Sequence, residues 1–499
     1  MIFDAAKLPL PARLRADLVV VGSGPGGASA AMVAAEGGLR VLVLEAGDFV
    51  TPASMTQREE QMIPRLLWRG GAQTTSDRAI RVHQGRGIGG SSLHNLNLVK
   101  RIPEPIQRRW RDDFGVEVPW EQLYPEVEQA LEVSEIPQTM WSAHNLVLKR
   151  GSEELGWSWG ALSHNRTGCI GSGFCELGCA YDAKNNALKV MVPRIVKAGG
   201  EILYHAQAAQ VLHGGGRARG VEGFAMDART NRPLGRFVVD AERVCLAGSA
   251  THTAALLMRS RAPDPTRRVG RTLHLHPAVI AAGEMPEPVR AFEGTPQSLE
   301  CKEWLDFEDD DRRVWIVPAF GHPMGVATML PGHGAAHLDW MKRYDHMAVL
   351  TGMLHDRTNG GVEPDGDFGF QIDYVPDEPD RRQLAMGLAR CAELLFAAGA
   401  KRVLIPARRP LVLTAVSEAR ELESFLLTPD SMELSSVHPM GSVGMGDGRF
   451  PVRSDGRFRT LDGLWISDGS VFPTSIGVPP QLSIYAIGLH VGRSLLRLG

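Results

Sequence analysis

An α/β chain with a second, α+β unit inserted into it is the fold class that the sequence predicts, on three observations. Residues 17–47, DLVVVGSGPGGASAAMVAAEGGLRVLVLEAG, read as a strand, a glycine-rich turn, an alanine-rich helix and a second strand. Further runs with the character of buried strands, in residues 201–212, 243–247 and 464–468, are spread over the rest of the chain. Between them, residues 313–319, 347–353 and 367–374 read as strands separated by turn signals, which suits one antiparallel sheet.

The first of these features carries a ligand. Gly22, Gly24 and Gly27 form G-x-G-x-x-G between a β-branched run and a helix, and Glu45 ends the following strand about 20 positions on. Glycines there let backbone N–H groups approach a pyrophosphate at the helix N-terminus, where the dipole favours an anion. Glu45 is placed to accept hydrogen bonds from ribose hydroxyls. A Rossmann-like dinucleotide-binding domain follows. Because its remaining strands are scattered, the domain is expected to be discontinuous, over residues 1–100, 190–285 and 435–499.

Residues 101–189 and 286–434 then form the inserted substrate unit. Within it, residues 381–398 carry apolar side chains at Leu384, Leu388, Cys391, Leu394 and Leu395, the spacing of an amphipathic helix lying on the sheet. Gly399 ends that helix, and a short strand follows up to Pro406. Residues 201–212 read as a strand and a turn. The cleft between the two units is the expected active site.

Composition limits the partners. The chain has 499 residues, 43% hydrophobic and 22% charged, and a formal net charge of −3, which argues against nucleic acid as a partner. No run of 18 uncharged apolar residues predicts a membrane span, and the N-terminus lacks the pattern of a secretory signal, so the cytoplasm is the expected location. With six cysteines in a chain of this length, no disulfide framework is expected. A small-molecule substrate is the expected partner.

Four further segments carry a resemblance. QGRGIGGSSLHNLNL (84–98), VGRTLHLHP (269–277), VHPMGSVGMG (437–446) and the tail LDGLWISDGSVFPTSIGVPPQLSIYAIG (461–488) resemble, in order and spacing, the signatures of the glucose–methanol–choline flavoprotein oxidoreductases. The likeness is nearest to cholesterol-oxidase-like and long-chain-alcohol-oxidase-like members. It implies FAD as cofactor, a Rossmann-like FAD-binding domain, and oxidation of an alcohol to a carbonyl with hydride passing to the flavin N5. It also implies a cofactor set comprising Gly22, Gly24, Gly27, Glu45, Arg86, Gly89, Gly90, Ser91, Ser92, His94, Asn95, Val211, Asp468, Gly469, Gln481, Leu482 and Ser483. The second signature is poorly kept, with His252 and Thr253 where a Thr-Pro is usual.

By the match to VHPMG, His438 falls at the family's catalytic histidine, a general base for the substrate hydroxyl. The position of its usual Asn or His partner is filled by Pro479, whose side chain can neither donate nor orient a hydroxyl. Gln481, Ser475 and Thr474 are the nearby polar residues that could replace it. His94 matches a position at which choline-oxidase-like members bond histidine covalently to the flavin; a non-covalent histidine lining the flavin is the favoured reading. Cys169, Cys175 and Cys179 have the C-x5-C-x3-C spacing that suits a [3Fe–4S] cluster and that resembles glucose and fructose dehydrogenase subunits. Unliganded thiols in a structural loop are preferred, so no metal is assigned. The alternative to alcohol oxidation is a non-redox lyase or decarboxylase on the same scaffold, and the electron acceptor is left open among oxygen, a quinone and a redox protein.

Overall fold

The structure, a computed structural model, describes residues 1–407, 409–424, 431 and 434–497. Its first sheet has the hydrogen-bonded order Ile2–Asp4, Glu201–Tyr204, Val41–Leu44, Ala12–Val21, Pro233–Leu246, Arg217–Met226, Ala206–Gly214, with Leu464–Ile466 also pairing with Pro233–Leu246. Pairing is parallel from Ile2–Asp4 to Pro233–Leu246 and on to Leu464–Ile466, and antiparallel through Arg217–Met226 and Ala206–Gly214. The strand Ala12–Val21 alternates charge and apolarity in its first half and is buried over Leu18–Val21. Residues 201–212, expected as a strand and a turn, are two strands, which break at His205, a residue held at φ +53°.

The helix Pro25–Glu36 lies against the last helix, Gln481–Leu496. Small residues let the two backbones approach closely. A Cβ on Gly488 would stand 2.6 Å from Gly26 O, and one on Gly492 would stand 2.7 Å from Val33 Cβ. This contact locks the start of the last helix beside the glycine-rich turn.

The second sheet runs Leu411–Leu413, Arg402–Ile405, Ala278–Glu284, Met347–Leu354, Val314–Pro318, Leu299–Cys301, Trp159–Ala161, and its pairs are antiparallel. The strand Leu434–Ser436 joins it antiparallel beside Ala278 and pairs in parallel with Ile80–Val82. The helix Glu378–Ala397 is capped by Asp377 and buries Leu384, Leu388, Cys391, Leu394 and Leu395 against this sheet. Of the three strands expected to share the sheet, one does not. Residues 369–373 form a separate hairpin with Gly361–Asp365. Val362, Phe370 and Ile372 are buried, and the hairpin packs on the helix Ser249–Arg259, so its apolar face is spent there.

Two strands bring the sheets to one another. Ala278–Glu284 follows directly on residues 274–277, and Leu434–Ser436 leads directly into His438. The segments carrying histidines 274, 276 and 438 therefore leave the second sheet at neighbouring points and run toward the closing turn of the first.

Candidate active site

Gly22 is held at φ +102°, and a Cβ there would stand 2.2 Å from Ala247 O; one on Gly27 would stand 2.0 Å from Gly22 O. Gly24 caps the helix Pro25–Glu36 without any side-chain hydrogen bond, so the first amides of that helix keep no side-chain partner. Across from it, a Cβ on Gly90 would lie 2.7 Å from Gly24 Cα. The Glu45 carboxylate is buried and accepts from Ser23 Oγ at 2.6 Å, Gly47 N at 2.8 Å and Gly87 N at 3.2 Å. It thus ties the first turn to the loop of residues 84–98.

That loop brings most of the expected residues together. Ser91 Oγ accepts from Gly85 N, and Ser92 Oγ donates to Gly89 O at 2.6 Å and accepts from Ala187 N at 3.1 Å. Arg86 donates to Ala46 O, lies over the Trp68 ring, and leaves its Nε buried without a partner. His94 Nε2 and Asn95 Oδ1 are likewise buried and unpartnered, and burial brings His94 down to a pKa of about 3. Gln481 crosses the same region: its Oε1 accepts from Asn95 Nδ2 at 2.7 Å, while its Nε2 donates to Leu98 O at 2.6 Å and to Asn165 Oδ1. Leu482 is fully buried, and Ser483 Oγ is hydrogen-bonded to Tyr124 Oη at 2.9 Å.

Asp468 is buried and accepts from Ser249 N, Thr253 Oγ1 and Ser470 N at 2.6–2.9 Å. Burial nevertheless raises its pKa above the usual carboxylate value. Gly469 O accepts from Gly441 N, which links this turn to the segment after His438. The departure at residues 252–253 is accommodated locally. Thr253 serves Asp468, and the His252 ring sits edge-on to Trp68 and Phe370. The Val211 amide donates to Ser260 Oγ at 2.8 Å.

These residues fit FAD. Unpartnered buried polar atoms at Arg86, His94 and Asn95 surround a loop packed against an uncapped helix N-terminus, and a buried orphan costs on the order of 1–3 kcal/mol unless a ligand satisfies it.

Beyond the cluster lies His438, partly buried, its pKa lowered to about 3 by desolvation. Its Nδ1 is 3.3 Å from His276 Nδ1, with the two rings nearly perpendicular. His276 Nε2 in turn accepts from the Gly477 N–H at 2.9 Å. Gly477 is at φ +70°, and a Cβ there would stand 2.6 Å from the Phe307 ring and 3.0 Å from His355 Cγ. Of the polar residues that could replace the side chain missing at Pro479, Gln481 is engaged as above. Thr474 Oγ1 accepts from Trp110 Nε1 at 2.8 Å and donates to Ser475 O, while Ser475 Oγ is buried without a partner.

Sequence reasoning missed His276, and it missed the group beneath it. Asp356 accepts from Leu275 N at 3.0 Å, from His276 N at 3.3 Å and from Tyr374 Oη at 2.7 Å, with His274 Nδ1 at 3.5 Å. The alternation of histidines at 274 and 276 in LHLHP was the one available signal. Lys184 was missed too. It is 1% exposed and donates to Leu93 O, Asn95 O and Cys175 O at 2.5–3.1 Å, clamping the backbone on both sides of His94. Cys169, Cys175 and Cys179 are free thiols lining a small recess with Lys184. Among the described residues, no group of three or more His, Cys, Asp or Glu side chains converges to hold a metal. Among them, no helix is long and apolar enough to cross a membrane.

Comparison with known proteins bears on this arrangement directly. Residues 63–278 and 357–488 match the GMC oxidoreductase family models, and residues 17–55 match an FAD binding domain. An uncharacterized GMC-type oxidoreductase of Mycobacterium tuberculosis is 34% identical over 498 residues, spanning 96% of this chain and 76% of the relative. A long-chain-alcohol oxidase of Arabidopsis thaliana is 27% identical over 510 residues, 96% of this chain and 69% of that protein. The crystal structure of pyridoxine 4-oxidase from Mesorbium loti superposes with a TM-score of 0.72 at 19% identity, covering 96% of this chain and 98% of that one, and so shares the fold. The chain belongs to the glucose–methanol–choline (GMC) oxidoreductase family: it is an FAD-dependent enzyme of the class acting on CH–OH groups.

Proposed function

We propose that the enzyme oxidises an apolar or amphipathic alcohol to a carbonyl compound, with His438 at the substrate hydroxyl. The observation that carries this reading is His438 itself. It is an imidazole kept neutral by desolvation and tied through His276 to the turn that opens the last helix, beside the loop whose buried polar atoms lack partners. Bound FAD supplies a hydride acceptor at its N5. The chain's own residues would hold that cofactor through the glycine turn, Glu45, the loop 84–98 and the start of the last helix.

Substrate class is read from the neighbouring cavity. A space of about 310 Å³ abuts Val478, next to Pro479, and is walled by Leu305, Phe307 and Trp315. Lys100, Lys302 and Arg101 stand at its polar side, where Glu300 pairs with Lys100 at 2.5 Å and accepts from Trp315 Nε1. An apolar body with a polar end suits such a wall. The relatives named as long-chain-alcohol oxidases support the same class.

Anaerobic mixing of the purified holoenzyme with a panel of long-chain, aromatic and sterol alcohols tests the proposal. Bleaching of the oxidised flavin band by members of the panel is expected. His438→Ala should keep the yellow colour and lose the bleaching. Turnover of a panel member with the flavin band unchanged would overturn the redox reading.

A further inference from the structure

General-base work by a neutral histidine needs an unshared pair on the ring nitrogen that faces the substrate. Whether His438 has one there is decided by its partner. The Gly477 N–H points at His276 Nε2 across 2.9 Å, so that nitrogen must be an acceptor and carries no proton. A neutral His276 then carries its proton on Nδ1, the atom 3.3 Å from His438 Nδ1. Two N–H groups cannot meet at that distance, so His438 Nδ1 is the acceptor and its proton sits on Nε2.

We propose that His276 is the positioning residue standing in for the side chain missing at Pro479, and that it fixes His438 as the Nε2–H tautomer, which meets the substrate oxygen as a hydrogen-bond donor to an alkoxide. The proposal rests on the reading of His438 as the group at the substrate oxygen. It changes what that group does there.

The surroundings support the assignment. Making either ring cationic would require a proton on His276 Nε2, against the Gly477 N–H, or one on His438 Nδ1, against the His276 Nδ1–H. The charged and titratable groups facing His276 do not alter this. Asp356 spends its oxygens on the backbone amides of Leu275 and His276 and on Tyr374, with His274 beside it. His355 lies with its Nε2 3.2 Å from Ser475 O, and Arg313 donates to the His355 carbonyl at 2.9 Å. Burial lowers the pKa of His276 well below the usual value despite the nearby Asp356 charge.

The chemistry balances with water as the proton carrier. The alcohol O–H bond breaks with its proton passing to hydroxide from solvent, giving alkoxide and water. The alkoxide oxygen takes a hydrogen bond from His438 Nε2–H, which keeps its proton throughout. The carbinol C–H electron pair would then leave as hydride, for which bound FAD would supply the acceptor, while a lone pair of the oxygen closes the C=O bond.

Two measurements test this, one of them independent of turnover. In holoenzyme labelled with ¹⁵N-histidine, the ring signals of His438, identified by their loss in His438→Gln, should report a neutral Nε2–H tautomer at pH 7. An Nδ1–H tautomer there would overturn the proposal. With a bleaching alcohol, kcat/KM should rise about tenfold per pH unit through the neutral range, because the alkoxide fraction does. A kcat/KM that is flat from pH 6 to pH 9 would also overturn it, since a base this weakly basic would already be free throughout. His276→Phe, where it folds, should abolish the slope, and a slope unchanged in a folded His276→Phe would remove His276 from the role. If no alcohol in the panel bleaches the flavin, the functional reading fails while the labelled spectrum still decides the tautomer.

Discussion

Asp380→Asn is the perturbation whose size the structure fixes best. Asp380 is fully buried, and its Oδ1 is 2.7 Å from Arg313 Nη1, on a side chain only 4% exposed. Its Oδ2 accepts from Arg357 N, Thr358 N and Thr358 Oγ1 at 2.7–2.9 Å, and Arg313 also donates to His355 O. The pair therefore holds both sides of Asp356. Asn keeps the shape but leaves the guanidinium without a counter-charge and turns an amide NH2 toward a donor. Breaking a buried pair in this way costs about 3–5 kcal/mol. At about 2.1 cal/mol/K per residue, a chain of 499 residues has an unfolding entropy near 1 kcal/mol/K, so Tm should fall by about 3–5 °C. Scanning calorimetry at a fixed, saturating FAD concentration measures it, because bound cofactor shifts Tm by itself. Arg313→Met in the same chain removes the stranded charge, so the double variant should be more stable than the sum of the two single losses by about 2 kcal/mol or more. A drop below about 1 °C in Asp380→Asn, or additive single and double losses, would refute the reasoning.

Two other expectations are simpler. Gly477→Ala must hold a side chain at φ +70° and place a Cβ 2.6 Å from the Phe307 ring, at a cost of about 1 kcal/mol for the backbone and 1–3 kcal/mol for the overlap; calorimetry should show Tm lower by about 2–4 °C, and an unchanged Tm would mean the turn yields freely. Burial, with Glu59 adding to it against the opposing pull of Lys184, raises Glu176 to a pKa of about 7 from 4.5. The folded state thus holds a proton that the unfolded chain loses between pH 4.5 and pH 7, so this carboxyl lowers stability progressively as pH rises through that window. Glu176→Gln should match the parent near pH 4.5 and exceed it in Tm at pH 8, and an equal Tm gap at both pH values would sink the assignment.

What the sequence makes legible here is what lies close together along the chain. The turn with Gly22, Gly24 and Gly27 is readable because strand, turn and helix are consecutive, and residues 381–398 because a helix face repeats within a few residues. Residues 367–374 were readable as a strand but not as a hairpin docked on the helix Ser249–Arg259, since the destination of an apolar face is a tertiary fact. Val211 shows the same limit. Its hydrogen bond to Ser260 depends on a helix nearly 50 residues away. Lys184 reads as an ordinary surface lysine until its three carbonyl partners, two of them about 90 residues distant, are brought around it.

The turn at Pro479 brings such distant residues together. A proline there leaves the turn without a side-chain donor, but it leaves the backbone amide of Gly477 untouched, and that amide is the group the structure uses. It acts on His276, 201 residues away, which acts on His438, 162 residues further along. By the family resemblance, a polar side chain at 479 would meet the substrate directly. In the proposed arrangement, a relay through His276 instead sets the proton of His438. The first arrangement offers two contacts to the substrate oxygen, and the second offers one contact of defined polarity. On that proposal, the loss at position 479 changes the kind of hydrogen bond presented to the substrate as well as their number. For that reason the pH dependence of kcat/KM, more than its size, separates the two arrangements.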